Sequence, residues 1–316
     1  MLKQMGIRKG VNLGGWLSQC DYSADRLNNF ILAEDFARIA SWGLDHVRIP
    51  VDYNVLEDNH GGYDAPGWER LDFALAACRE NNLKVVIDLH KTAGFSFDKG
   101  EYETGFFEKK EYQERFCRLW EEIARRYGAL SDRVIFELLN EVTKSEYCQL
   151  WNEIAARAIR RIRVYAPNTL VLVGGYHHNA AHAVKDLAAP VDDRVVYNFH
   201  CYEPLAYTHQ GAPWVDIIDQ SARVAFEDSG ACEQYFEEAF AEAIAKAEEN
   251  HTVLYCGEYG VIDVVPPQDA VKWFKAINAV FERHGIARAV WSYRKMDFGV
   301  SDSYWDACRE ELLKYL

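Results

Sequence analysis

Val134-Ile135-Phe136-Glu137-Leu138-Leu139-Asn140-Glu141, followed by Leu150, Trp151, Ile154, Ala155, Ala158, Ile159 and Ile162, makes one complete βα unit. The first part is a nearly continuous apolar run, as expected of a parallel strand covered on both faces. The second part repeats with the spacing of a single helix face. A parallel strand needs such a crossover to return the chain to the same edge of the sheet. Working outward, strand-like runs lie at 10–14, 46–50, 84–89, 170–173, 195–199, 253–257 and 289–292, each followed by a helix-period segment. A second clear helical stripe is Tyr235, Phe236, Ala239, Phe240, Ala243, Ile244 and Ala247. Eight such units predict an α/β fold, a single (β/α)8 TIM barrel spanning 1–316. An open doubly wound sheet fits less well, because no Gly-x-Gly-x-x-Gly follows the first strand and Gly174-Gly175 is too short for a phosphate loop. No linker or repeat divides the chain. One long loop insert, at about 203–232 after strand six, carries Trp214 and is expected to form a flap over the barrel mouth.

The composition narrows the classes of partner. Of 316 residues, 49% are hydrophobic and 14% aromatic, which suits a globular enzyme with a large core. The formal charge of −14 argues against nucleic acid and against an anionic membrane, since both would be repelled, whereas a neutral ligand would not. The first ten residues hold Lys3, Arg8 and Lys9 but no apolar signal-peptide core. The expectation is a cytoplasmic protein as the sequence stands, or a secreted one if a leader precedes it. Eight cysteines without a C-x-x-C pair read as reduced core thiols, with zinc or a disulfide framework as the alternatives. No cofactor or metal is expected, and the protein is expected to be a monomer.

Chemistry in such a barrel sits at the carboxyl ends of the strands. Those positions hold Arg48, His90, Asn140, Glu141, His200, Tyr202, Glu258 and Trp291. Two carboxylates are what glycoside hydrolysis requires. Glu141 suits the acid, with Asn140 orienting a sugar 2-hydroxyl; a helix cap or solvated loop acid is the alternative. Glu258 ends a buried strand, so it needs a partner, and Arg48 and Tyr202 are the candidates. A structural ion pair is the alternative for Glu258, and likewise for Arg48. His90 and His200 suit hydroxyl binding or a satisfied polar core, and no Asp/Glu/His spacing completes a metal site. His177 is placed to reach the sugar groove. Trp291 suits a platform beneath a pyranose, or plain core. Trp16, Trp214, Trp291 and Phe298 fall on the expected active face in four different units, as a groove for several sugars would need; ordinary core or flap packing of two or more of them is the alternative.

These residues belong to an ordered set. Gly10-Val11-Asn12-Leu13-Gly14-Gly15-Trp16-Leu17, Val47-Arg48-Ile49-Pro50, Asp88-Leu89-His90, Leu139-Asn140-Glu141-Val142, Tyr197-Asn198-Phe199-His200-Cys201-Tyr202, Cys256-Gly257-Glu258-Tyr259-Gly260 and Val290-Trp291-Ser292-Tyr293 run from about residue 8 to 300. In that order they resemble glycoside hydrolase family 5. The resemblance implies Glu141 as acid/base, Glu258 as nucleophile and Asn140 as partner of the 2-hydroxyl. It also implies that Arg48 and Tyr202 hold the nucleophile and that His90, His200 and Trp291 line the sugar site at the point of cleavage. Gly14-Gly15-Trp16 and Lys295-Met296-Asp297-Phe298 look like a bacterial endoglucanase branch that includes mixed-linkage glucanases. The insert after strand six is shorter than that branch sometimes has. The implied substrate is a β-glucan poly- or oligosaccharide, cut internally at β-1,4 bonds by double displacement. An exo-β-1,3-glucanase, a β-mannanase and an inactive carbohydrate-binding barrel are the alternatives. An acid needs its proton in the free enzyme, so the pKa of Glu141 is expected above the ordinary glutamate value.

Overall fold

Alternate residues of each strand meet two different apolar surroundings. Val85, Ile87, Val134, Phe136, Val171, Val173 and Val195 belong to the cluster shared with the helices. Their neighbours Val86, Ile135, Leu172, Val196, Tyr255 and Ala289 form a separate cluster with Leu2 and Ile7 from the chain's start. A sheet with apolar side chains on both faces, one facing inward and one facing helices, is what closure into a barrel requires. The computed structural model describes residues 1–58, 60–98 and 103–316. In it β1 (Lys9–Asn12), β2 (His46–Asp52), β3 (Lys84–Lys91), β4 (Val134–Glu137), β5 (Val171–Gly174), β6 (Val195–Cys201), β7 (Leu254–Tyr259) and β8 (Ala287–Val290) close in chain order, each parallel to its neighbours. The (β/α)8 barrel expected from the sequence is the fold of the protein.

The long helices between the strands are α1 (Ala33–Ser41), α2 (Ala65–Glu80), α3 (Lys110–Tyr127), α4 (Cys148–Tyr165), α5 (Glu233–Glu249) and α6 (Pro267–His284). α6 shows why they start and stop where they do. Proline stands at its first position, and Gly285 ends it in the left-handed region at φ 64°, donating its N–H to Glu282. None of the helices is long and apolar enough to cross a membrane, among the described residues.

One expectation fails. A helix-period segment was expected after every strand, but β5 is followed only by the turn Tyr176–Asn179 and the 3₁₀ stretch Ala181–Asp186, and β8 only by the 3₁₀ turn Ser303–Trp305 and the single helical turn Arg309–Leu312. His177, His178 and Asn179 have φ of 49°, 58° and 55°, a left-handed run that no regular helix can continue. α5 packs across this short stretch and covers the wall that a longer helix would have covered.

All eight cysteines are free thiols. Cys78, Cys117, Cys201 and Cys256 are buried, and Cys232, at the foot of α5, is the exposed one. Between β6 and α5 the insert carries only the short helix Leu205–Thr208 and the 3₁₀ turn Phe226–Asp228.

Candidate active site

The site is assembled around Arg48, which is fully buried inside the barrel. Its Nε and Nη2 donate to the two carboxylate oxygens of Glu137, each at 2.7 Å. Nη1 donates to Glu258 Oε1 at 2.7 Å and to Asn12 Oδ1 at 2.8 Å, and Nη2 donates to Asn140 Oδ1 at 2.8 Å. Asp88 stands 3.0 Å from Nη2. One guanidinium therefore faces three carboxyl groups from β3, β4 and β7. Burial disfavours its charge, but Asp88, Glu137 and Glu258 outweigh that and raise its pKa. Glu137 is raised as well: burial pushes its carboxyl above the ordinary range against the pull of Arg48, and Asp88 adds to the rise.

Glu258 reaches the centre because β7 bulges. Cys256 pairs with Phe199, but the next pair is Glu258 with His200, so Gly257 is the extra residue. Its N–H donates to Asn198 Oδ1 at 3.0 Å and its carbonyl accepts from Asn12 at 2.9 Å. Tyr202 donates its hydroxyl to Glu258 Oε2 at 2.9 Å. Burial and the Glu258 charge push the Tyr202 phenol far up, so it remains a donor.

Glu141 follows β4 with φ 45°. Its Oε1 lies 2.8 Å from His200 Nδ1 and its Oε2 lies 3.0 Å from His178 Nδ1. Burial would raise its pKa, yet the hydrogen bonds with His178 and His200 more than reverse this and hold it below the ordinary value. This corrects the expectation of a raised value, which followed from the acid's need for a proton and missed two imidazoles. A carboxyl oxygen of Glu141, one of Glu258 and a ring nitrogen of His200 all lie within 4.8 Å of one another. Linear spacing gave no sign of this cluster, which by position alone has the geometry to hold a cation. The oxygens of both glutamates are, however, already engaged by Arg48, Tyr202, His178 and His200.

The remaining candidates divide. Asn140 is buried, and with Oδ1 fixed by Arg48 its Nδ2 has no hydrogen-bond partner among the described residues. His90 is clamped by Asp88 at 2.6 Å and by Gln19 at 3.2 Å, and lies parallel to Trp291 with centroids 5.8 Å apart. Burial opposes a charge on His90, but Asp88 overcomes it and raises the pKa. Trp214 is 43% exposed and meets His209, which in turn meets Tyr202 and Phe298. Three placements from sequence need correction. Trp16 is buried core, its indole N–H donating to Leu27 O at 3.0 Å. Phe298 is also buried and edges onto Tyr202. His177 turns outward to His182 at 3.1 Å, so that the next residue, His178, meets Glu141. Sequence reading also passed over Glu137, although a charge inside an apolar strand opposite an inward-facing arginine was a usable signal. Asn179 could be inferred from no sequence feature.

A family model described as cellulase (glycosyl hydrolase family 5) matches residues 9–297. The chain belongs to glycosyl hydrolase family 5. This family-5 glycoside hydrolase is 59% identical over 295 residues to cellodextrinase A of Ruminococcus flavefaciens, covering 93% of this chain and 88% of that one. It is 31% identical over 339 residues to endoglucanase C of Acetivibrio thermocellus, covering 99% and 98% of the two chains. Among solved structures it is similar to the cellulose synthase subunit Z of Clostridioides difficile, with a TM-score of 0.84, 26% identity and coverage of 98% and 99%.

Proposed function

We propose that the protein is a retaining endo-β-glucanase that cleaves β-1,4-glucosidic bonds in cellulose-type or mixed-linkage β-1,3-1,4-glucans, cellodextrins included. The observation that carries this reading is the pair of carboxyl oxygens within 4.8 Å at the barrel mouth. Carboxyl groups roughly 5–5.5 Å apart serve double displacement, whereas an inverting pair stands about 6.5–9.5 Å apart to admit a water. Glu258, aimed by Arg48 and Tyr202, attacks the anomeric carbon while Glu141 protonates the departing oxygen. Glu141 then takes a proton from water as that water releases the sugar from Glu258. The unpartnered Nδ2 of Asn140 supplies a donor for the 2-hydroxyl of the bound sugar. The names of the cellodextrinase and endoglucanase relatives support a β-1,4-glucan substrate.

Two measurements test the reading. In Glu141→Ala, azide is expected to accelerate release from an activated aryl cellobioside and to yield β-cellobiosyl azide. Absence of that product removes Glu141 from the acid/base role. On mixed-linkage glucan, viscosity is expected to fall before reducing ends accumulate in proportion. Release of glucose alone at constant viscosity would favour exo action.

A further inference from the structure

His178 lies outside the set of strand-end residues, yet it holds one of the two oxygens of Glu141. Oε1 faces His200, whose side chain is 1% exposed, and Oε2 faces His178, whose side chain is 54% exposed. Each of these N···O contacts contains one proton, whichever atom carries it. The two rings differ in what they can do with that proton. His200 Nε2 lies 3.4 Å from Asn179 Nδ2, and an amide donor there places the ring proton on Nδ1, where it serves only to orient Glu141. His178 reaches solvent, so its proton exchanges with bulk water. The oxygen it holds is the one on the open side of the acid.

The backbone fixes this placement. His178 N–H donates to Val142 O at 3.1 Å, joining the turn after β5 to the residue that follows the acid. Asn179 sits against Gly174, where a Cβ would come within 2.3 Å of its Oδ1, so only glycine leaves room for the turn. His177, His178 and Asn179 all take left-handed φ, a backbone region that residues with a side chain rarely adopt three in a row. Such strain persists where the surroundings impose it.

We propose that His178 is a positioning residue that shares the catalytic proton with Glu141 and yields it as the leaving sugar enters. The proposal rests on the reading of Glu141 as acid/base. In the free enzyme the His178 ring is an imidazolium: Nε2 keeps its own proton throughout, and the shared proton sits on Nδ1, facing the Glu141 carboxylate. Arrival of the leaving sugar draws the ring away, and the proton passes to Oε2, leaving a neutral imidazole. Glu141 gives that proton to the glycosidic oxygen as the C1–O bond breaks and the Glu258–C1 bond forms. In the second half Glu141 regains a proton from the attacking water, and the ring returns. The groups facing His178 are Glu141 beyond β4, Asp98 beyond β3 and Glu258 on β7, with His200 on β6 across the carboxylate; its own neighbour His177 turns to His182. The hydrogen bond with Glu141, against some burial, holds the pKa of His178 above its ordinary 6.5.

The alkaline limb of a pH–rate profile reports loss of the one proton that the pair holds, and two seats retain it to higher pH than one. His178→Asn keeps an N–H donor near the place of Nδ1 but cannot titrate. Its alkaline limb in kcat/KM is expected to move to lower pH, by roughly half a unit or more. Phenyl β-cellobioside, whose leaving group needs the acid, is expected to lose about tenfold in kcat/KM, and dinitrophenyl β-cellobioside less than about twofold. His178→Ala is expected to behave in the same way. An unmoved limb in the Asn variant, or equal losses on both substrates, overturns the proposal. Azide rescue of Glu141→Ala is read in parallel: if it succeeds while the limb stays put, His178 alone is excluded. If azide fails, the acid/base assignment falls first.

Discussion

Arg48 places all three of its guanidinium nitrogens against carboxyl and amide oxygens in a space closed to water. The arrangement aims Glu258 without relying on any mobile partner. Glu258→Gln keeps one acceptor, the carbonyl oxygen facing Arg48, turns its NH2 toward the Tyr202 hydroxyl oxygen, and loses the attacking carboxylate. Turnover on cellotetraose is expected to fall by about three orders of magnitude or more, with a thermal midpoint close to that of the parent. Residual activity within tenfold of the parent would mean another group attacks. Asn140 is set the same way, its Oδ1 committed to Arg48 and its Nδ2 without a partner among the described residues, as the proposed contact with the sugar 2-hydroxyl requires. Mannosides carry the 2-hydroxyl axially and misplace that contact. Asn140→Ala is expected to lose about tenfold in kcat/KM on glucosides, equivalent to about 1.4 kcal/mol, and much less on mannosides. An equal loss on both would remove Asn140 from sugar recognition.

The strands were legible because a parallel strand in a barrel is covered on both faces, and β3, β6 and β7 are buried along nearly their whole length, with apolar residues dominating the first half of each. Their ends were legible for the same reason, since a charge that closes an apolar run, as Glu258 does, stands out. The turn after β5 was not, because the left-handed backbone of His177, His178 and Asn179 is held by contacts with the segment beyond β4 and with β6, which lie far away in sequence. Trp16 and Phe298 were misread because an aromatic near a strand end looks alike whether it faces sugar or core. Glu137 was passed over because its partner Arg48 lies on another strand, 89 positions away. Together they tie β2 to β4 in the barrel centre, and Asn198 joins β6 to the same carboxylate at 2.8 Å. Glu137→Leu would leave Arg48 without its bidentate partner, and breaking a buried pair in this way costs about 3–5 kcal/mol. Urea denaturation checks this; a change under 1 kcal/mol would show that Asp88 and Glu258 alone satisfy the arginine.

Across the whole molecule, the charge of −14 acts on any substrate that is itself charged. Carboxymethyl-cellulose is repelled over a range of about 30 Å at 10 mM salt and about 8 Å at 150 mM. KM for that polymer is expected to fall severalfold between these two conditions, while KM for neutral mixed-linkage glucan stays constant. Parallel changes for both would point to a salt effect on the protein itself. The distribution of thiols has a consequence of a different kind. Four cysteines are sealed in the core, and Cys232 stands exposed where the long insert rejoins the barrel at α5. A maleimide dye added to the native enzyme is therefore expected to attach first at Cys232, as peptide mapping would show. The protein then carries a fluorescent reporter at the root of its long insert, and the expected readout is a change in dye emission when cellotetraose is added, obtained without an engineered attachment point.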